Sequence, residues 1–111
     1  MLVRVAERGR PAFQLRKGEE GISIFDTETV SPPLTEAEIL ESFREGSWAL
    51  TRSQSEIAAR GLQIVPIPGT GPLPQRLRDA HAEIRPGPGM SWAQFKRALQ
   101  ELEEHAGTAP A

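Results

Sequence analysis

Ten glycines and ten prolines in 111 residues leave this chain few long uninterrupted stretches. Glycine admits backbone conformations that end helices, and proline removes a ladder donor, so both act as punctuation. The elements are therefore expected to be short and the loops numerous. At this length one modest core is expected, giving a single α+β domain over 1–106 followed by a disordered tail, 107–111.

Reading between the breaks, LVRVAER alternates and predicts a first strand, with Leu2 or Val3 and Val5 turned inward. GRP ends it. AFQLR and ISIFD alternate again across the five-residue KGEEG turn, which predicts a β-hairpin with Phe13 and Leu15 on one side. Thr35 with Glu38 has capping-box spacing, Leu34 and Ile39 can form a hydrophobic staple, and Gly46 supplies a stop, so a helix is predicted over 35–45. Ser53 with Glu56 repeats the box ahead of a shorter helix closed by Gly61. LQIVPIPG reads as a strand that Pro66 and Pro68 push to a sheet edge. Pro74 suits the first position of a further short helix, and HAEIR reads as the last strand, with His81, Glu83 and Arg85 on one face.

The final helix has the clearest signature. Ser91 and Gln94 form a third box, Met90 can staple against Phe95, and Trp92, Phe95, Leu99, Leu102 and Ala106 make one apolar stripe. Late glutamates oppose the helix dipole, so the end of this helix, including His105, is expected to fray. The expected architecture is a mainly antiparallel sheet of four to five short strands, covered by two principal helices at about 35–45 and 92–105.

The formal net charge of -2 argues against a dedicated nucleic-acid binder, which needs a basic surplus to displace counterions. Charge is uneven, however: Arg4, Arg8, Arg10, Arg16 and Lys17 make the start basic, and Glu36, Glu38, Glu41 and Glu45 make the next helix acidic. The absence of cysteine removes disulfides and thiolate chemistry and fits a reducing cytoplasm. No apolar run approaches the ~18 residues of a membrane span, and no secretion signal is legible. GTG at 69–71 lacks the lysine of a phosphate loop. His81 and Glu83 share a strand face but have no third ligand in view, so no metal is expected.

One constellation can carry chemistry. Arg4 on the first strand and Arg16 and Ser23 in the hairpin, with a carboxylate at Glu83 on the last strand, together suit a nucleotide. The arginines pair with phosphate, the hydroxyl orients a ribose, and the carboxylate stabilises positive charge developing at the sugar. The plainer alternative makes Arg16 and Glu83 solvated surface charge and Ser23 a small filler.

The arginine-bearing first strand, Gly21-Ile-Ser-Ile-Phe25, and the late run from His81 to Met90 resemble small bacterial toxins with an ADP-ribosyltransferase-like fold. The resemblance implies NAD as co-substrate and either transfer of ADP-ribose or NAD cleavage. Arg4, Arg16, Ser23 and His81 would then bind the cofactor, and Glu83 would act at the sugar centre. The chain departs from many members in being short and in lacking tyrosine. The competing reading is a non-enzymatic interaction module, such as an antitoxin, immunity or accessory protein that binds a protein partner.

Overall fold

A computed structural model describes residues 1–69 and 71–104. The expectations for His105, Ala106 and the tail lie outside the described residues. Five strands form one antiparallel sheet: β1 (Leu2–Ala6), β2 (Ile22–Asp26), β3 (Trp48–Arg52), β4 (Gln63–Pro66) and β5 (His81–Arg85). Their order across the sheet is β3-β1-β2-β5-β4, which places β5 inside the sheet and β3 and β4 at its edges. Four helices accompany them: α1 (Glu36–Leu40), α2 (Gln54–Ala58), α3 (Gln75–Ala80) and α4 (Trp92–Glu104). The α+β class and the antiparallel sheet are those that the punctuation and alternation predict.

The sheet is covered on both sides, which is why its strands carry apolar residues of both parities. Leu2 and Ala6, Ile22 and Ile24, and Ala82 and Ile84 pack with Phe95, Leu99 and Leu102 of α4 and Ile57 of α2. Val3 and Phe25 point the other way, into a second cluster with Leu34, Ile39, Leu77 and Ala80. The 7–21 segment also serves the α4 side, because Ala12 and Phe13 are buried there.

Capping chemistry holds where it is predicted. The Ser53 hydroxyl accepts from the Glu56 amide, and the Glu56 carboxylate accepts from the Ser53 amide, closing a complete box. Ser91 and Gln94 make the same reciprocal pair at the start of α4. Thr35 accepts from the Glu38 amide, but the Glu38 carboxylate reaches across to Arg76 of α3, at 2.8 Å, and leaves the box half made. That bond ties α1 to α3 over the sheet. As predicted, β4 carries Pro66 and is an edge strand.

Four expectations need correction. AFQLR is not a strand, and the hairpin with ISIFD is absent; β2 pairs instead with β1 and β5. The backbone of 12–16 finds long-range partners: the Phe13 amide donates to the Glu103 carboxylate of α4, and the Ala12 carbonyl accepts from Arg4. The helix predicted over 35–45 ends at Leu40. The chain then tightens, with the Ser42 amide on the Ile39 carbonyl and the Phe43 amide on the Leu40 carbonyl, which brings Phe43 edge-on to Phe25. Strand β3, which has no counterpart in the sequence reading, pairs with β1 along its whole length. Finally, Trp92 is 47 % exposed and lies outside the buried stripe of α4, with its ring edge-on to Phe95.

Arg52 closes the core at the far end of α4. It is buried, and both its Nε and Nη2 donate to the Leu102 carbonyl, while its guanidinium lies over the Phe13 ring. A helix C-terminus presents carbonyls without intrahelical partners, so a cation there satisfies backbone and dipole together.

The different standing of the two aromatic residues of α4 has a measurable consequence. Phe95→Ala removes a fully buried ring and is expected to lower stability by about 3–5 kcal/mol. Trp92→Ala is expected to cost about 1 kcal/mol, the value of an edge-on aromatic pair with modest burial. Urea unfolding midpoints of the two variants check the contrast; equal losses would contradict it.

Candidate functional site

The sheet is not continuous between its two central strands. The β1–β3 ladder runs from Leu2↔Arg52 to Ala6↔Trp48, but β1 pairs with β2 only at Leu2↔Asp26 and Val3↔Phe25. Beyond Val3 the strands part, and a side chain replaces the missing backbone bonds. Arg4 Nη1 donates to the Ser23 carbonyl at 3.0 Å, and Arg4 Nε donates to the Ala12 carbonyl at 2.7 Å. A buried carbonyl without a donor is costly, so the arginine fills a structural need.

Arg4 leaves β1 on the α4 side, sharing parity with Leu2 and Ala6. Arg4 nevertheless lines a cleft of about 210 Å³ at the end of β1, together with Val5, Phe43, Glu7, Arg10, Arg16 and Glu19. Burial pushes the Arg4 guanidinium below its ordinary pKa, the Glu19 charge opposes that shift, and the Arg16 charge adds to it. Guanidinium stays protonated in proteins even so. The cleft therefore holds three arginines, Arg4, Arg10 and Arg16, and two carboxylates, Glu7 and Glu19, that offset part of their charge.

Arg16 owes its position to the glycine-bearing turn. Its amide donates to the Glu19 carboxylate and its carbonyl accepts from the Glu19 amide, which closes the turn under the side chain. The side chain then pairs with Glu7 at 3.0 Å. The hydrogen bond and charge of Arg16 hold the Glu7 carboxyl below the ordinary carboxylate range.

Ser23 and Glu83 do not line this cleft; they lie on the neighbouring strands β2 and β5. They are register partners on β2 and β5, and both turn away from α4, as Phe25 and His81 do. Register partners in a sheet place their Cβ atoms about 4.5–5.5 Å apart, so the two side chains leave the sheet side by side. The Glu83 carboxylate is largely sheltered and accepts from Arg85 on the same strand face, through Nε at 3.0 Å and Nη2 at 2.8 Å.

His81 serves the sheet itself. Its Nδ1 lies 2.7 Å from the Ile67 carbonyl, so that nitrogen carries the proton, and the ring stands edge-on to Phe25. The Ile67 amide returns a bond to the His81 carbonyl, which pins the end of β4 to β5.

The structure thus brings the sequence-predicted residues together in pairs. Arg4 and Arg16 share the cleft, Ser23 and Glu83 share a register position, and His81 sits one step along β5 on the Glu83 face. Only the Ser23 carbonyl, held by Arg4, links the pairs directly. Sequence reasoning missed Glu7, Glu19 and Phe43 at the cleft and did not assign Arg85 to Glu83. The last was legible, since a basic residue two positions from a carboxylate on a strand shares its face. A larger groove, about 470 Å³, lies between 11–15 and α4 and contains none of these five residues.

Among the described residues no group of three or more His, Asp or Glu side chains could hold a metal ion, and no helix is long and apolar enough to cross a membrane. No family model, curated protein or solved structure matches the chain.

The Glu7–Arg16 pair gives the cleft a pH dependence of known sign. A carboxyl whose folded pKa is depressed stabilises the protein above its unfolded pKa, and that contribution disappears as pH falls through the folded value. In Arg16→Gln the Glu7 carboxyl is expected to titrate at higher pH than in the parent, returning toward the ordinary range. Carboxyl carbon shifts followed through an acid titration check it, and an unchanged Glu7 midpoint would show that Arg16 does not set the Glu7 charge.

Proposed function

We propose that the chain is an ADP-ribosyltransferase-like domain, in the manner of small bacterial toxins, that binds NAD across the split between β1 and β2. The observation that carries this reading is the placement of Ser23 and Glu83 as register partners beside the opening that Arg4 occupies. An interrupted ladder leaves a slot in an otherwise closed sheet. A dinucleotide suits it, with the pyrophosphate toward the cations of the cleft and the sugar toward the hydroxyl and carboxylate.

In this reading Arg4 and Arg16 face phosphate oxygens, and Arg16 exchanges Glu7 for the ligand. Ser23 orients the nicotinamide ribose. The bond between the nicotinamide nitrogen and the ribose carbon breaks, its electron pair leaves with nicotinamide, and the Glu83 carboxylate stabilises the cationic sugar. Water or a nucleophile on a target protein then forms the new bond to that carbon and loses its proton. Phe43, which lines the cleft, supplies an aromatic surface in a chain without tyrosine. His81 is assigned to the β4–β5 junction and not to the ligand. The setting that fits this activity is a bacterial cytoplasm.

A second reading, a non-enzymatic interaction module that binds a protein partner, draws on a different observation. The candidate charges already have internal partners: Arg16 with Glu7, and Glu83 with Arg85. Copurification of a stoichiometric partner, from a chain that leaves NAD intact, is the outcome expected of that module.

Incubation of the purified protein with millimolar NAD, following free nicotinamide, separates the two. The transferase reading expects nicotinamide release that falls about a hundredfold or more in Glu83→Gln, the scale on which removal of one transition-state charge contact acts. It also expects a growth defect on expression that Glu83→Gln relieves. No NAD binding and no growth defect would sink it.

A further inference from the structure

We infer that Arg85 and Gly21 form a brace that fixes the Glu83 carboxylate by one oxygen and leaves the other for the ligand; Arg85 is a positioning residue. The inference rests on the NAD reading of the cleft. Both Arg85 nitrogens that reach Glu83 converge on the same oxygen, Oε1, at 3.0 and 2.8 Å. Among the described residues no hydrogen bond reaches Oε2. A surface ion pair made for charge alone has no reason to load one oxygen twice, and a guanidinium facing a free carboxylate commonly engages both oxygens side by side. Here the two residues lie two positions apart on one strand, and the fork closes from one side.

Gly21 accounts for how tightly that geometry is seated. A Cβ at this position would meet the Ile84 carbonyl at 2.9 Å, Glu83 Oε1 at 3.0 Å and Arg85 Cγ at 3.2 Å. Gly21 is outside the left-handed region, so its requirement is space and not conformation. The backbone just ahead of β2 thus forms a wall against the anchored oxygen and the arginine stem. This explains the glycine that opens the Gly21-Ile-Ser-Ile-Phe25 stretch, because any side chain there would displace the brace.

The consequence for the reaction is orientation. A carboxylate free to rotate must be fixed at each turnover, whereas one pinned through Oε1 holds Oε2 in one direction before the sugar arrives. The role of Arg85 is geometric and not only one of charge, so Arg85→Lys keeps the positive charge and loses the fork.

The test pairs a structural readout with a kinetic one. Side-chain couplings measured by NMR report whether Glu83 holds one χ1 rotamer. The parent is expected to show one and Arg85→Ala to show averaging with backbone amide spectra retained, whereas Gly21→Ala is expected to show averaging together with amide shifts around Ile84, whose carbonyl the new Cβ meets first. Nicotinamide release is expected to fall at least tenfold in kcat in both variants with KM for NAD changed less than threefold, and Arg85→Lys is expected to recover only part of the loss. Averaging of Glu83 in the parent, or one unchanged rotamer in Arg85→Ala, overturns the brace whatever the activity. A braced Glu83 in a parent protein that neither binds nor cleaves NAD overturns the catalytic reading and, with it, the positioning role of Arg85. A loss confined to KM assigns Arg85 to ligand binding and overturns the positioning role.

Discussion

The bond from Arg4 to the Ser23 carbonyl is the contact on which the arrangement of this molecule turns. Two adjacent central strands that part after two residue pairs would leave carbonyls without ladder donors. A long cation with a planar fork can serve one of them and a further acceptor at once, and that acceptor, Ala12, belongs to the 7–21 segment and is buried on the α4 side. One side chain thereby holds β1, β2 and the 7–21 segment at fixed separation. The cleft beside it exists because this separation is maintained by a side chain and not closed by a ladder.

The remaining polar side chains fit into that frame by local rules. Arg52 serves the Leu102 carbonyl of α4, Glu38 joins α1 to α3, and three hydroxyl caps begin three of the helices. Because these side chains satisfy backbone groups or one another, the charge in the molecule is mostly engaged at short range. This sharpens the competition between the two functional readings: a ligand at the cleft must compete with Glu7 for Arg16, whereas the second oxygen of Glu83 has no protein competitor among the described residues.

Much of this was legible in the sequence. Cap spacing located α2 and the start of α4, alternation located β1, β2 and β5, and the prolines placed β4 at an edge. What failed did so for physical reasons. The alternation of Ala12 to Arg16 is real, but it serves burial of Phe13 under α4, and its backbone partners lie on Glu103 and Arg4, too distant in sequence to infer. Strand β3 was hidden because Arg52 occupies a buried position, where a cation breaks the expected alternation; the Leu102 carbonyl and the Phe13 ring, both distant in sequence, explain it. At the candidate site the residue types were readable and their grouping was not. Which face Arg4 serves depends on where the β1–β2 ladder stops, and that is a property of three segments together.

The position of β5 also constrains the order in which the fold can be completed. Strand β4 joins the sheet only through β5, and β5 is fourth in the sheet but last of the strands along the chain. On the ribosome, β1, β2 and β3 can associate as soon as they emerge, since their pairings require nothing downstream. Strand β4 must wait without a partner, its Ile64 and Val65 unprotected, until His81–Arg85 arrives to occupy the place between it and β2. The apolar face of the early strands is likewise bare until α4 covers it. The proline-marked edge strand therefore stays unpaired from its own synthesis until β5 follows it. Prolines at Pro66 and Pro68, which weaken that strand's capacity to pair, are well placed to keep it from pairing with the wrong chain during the interval.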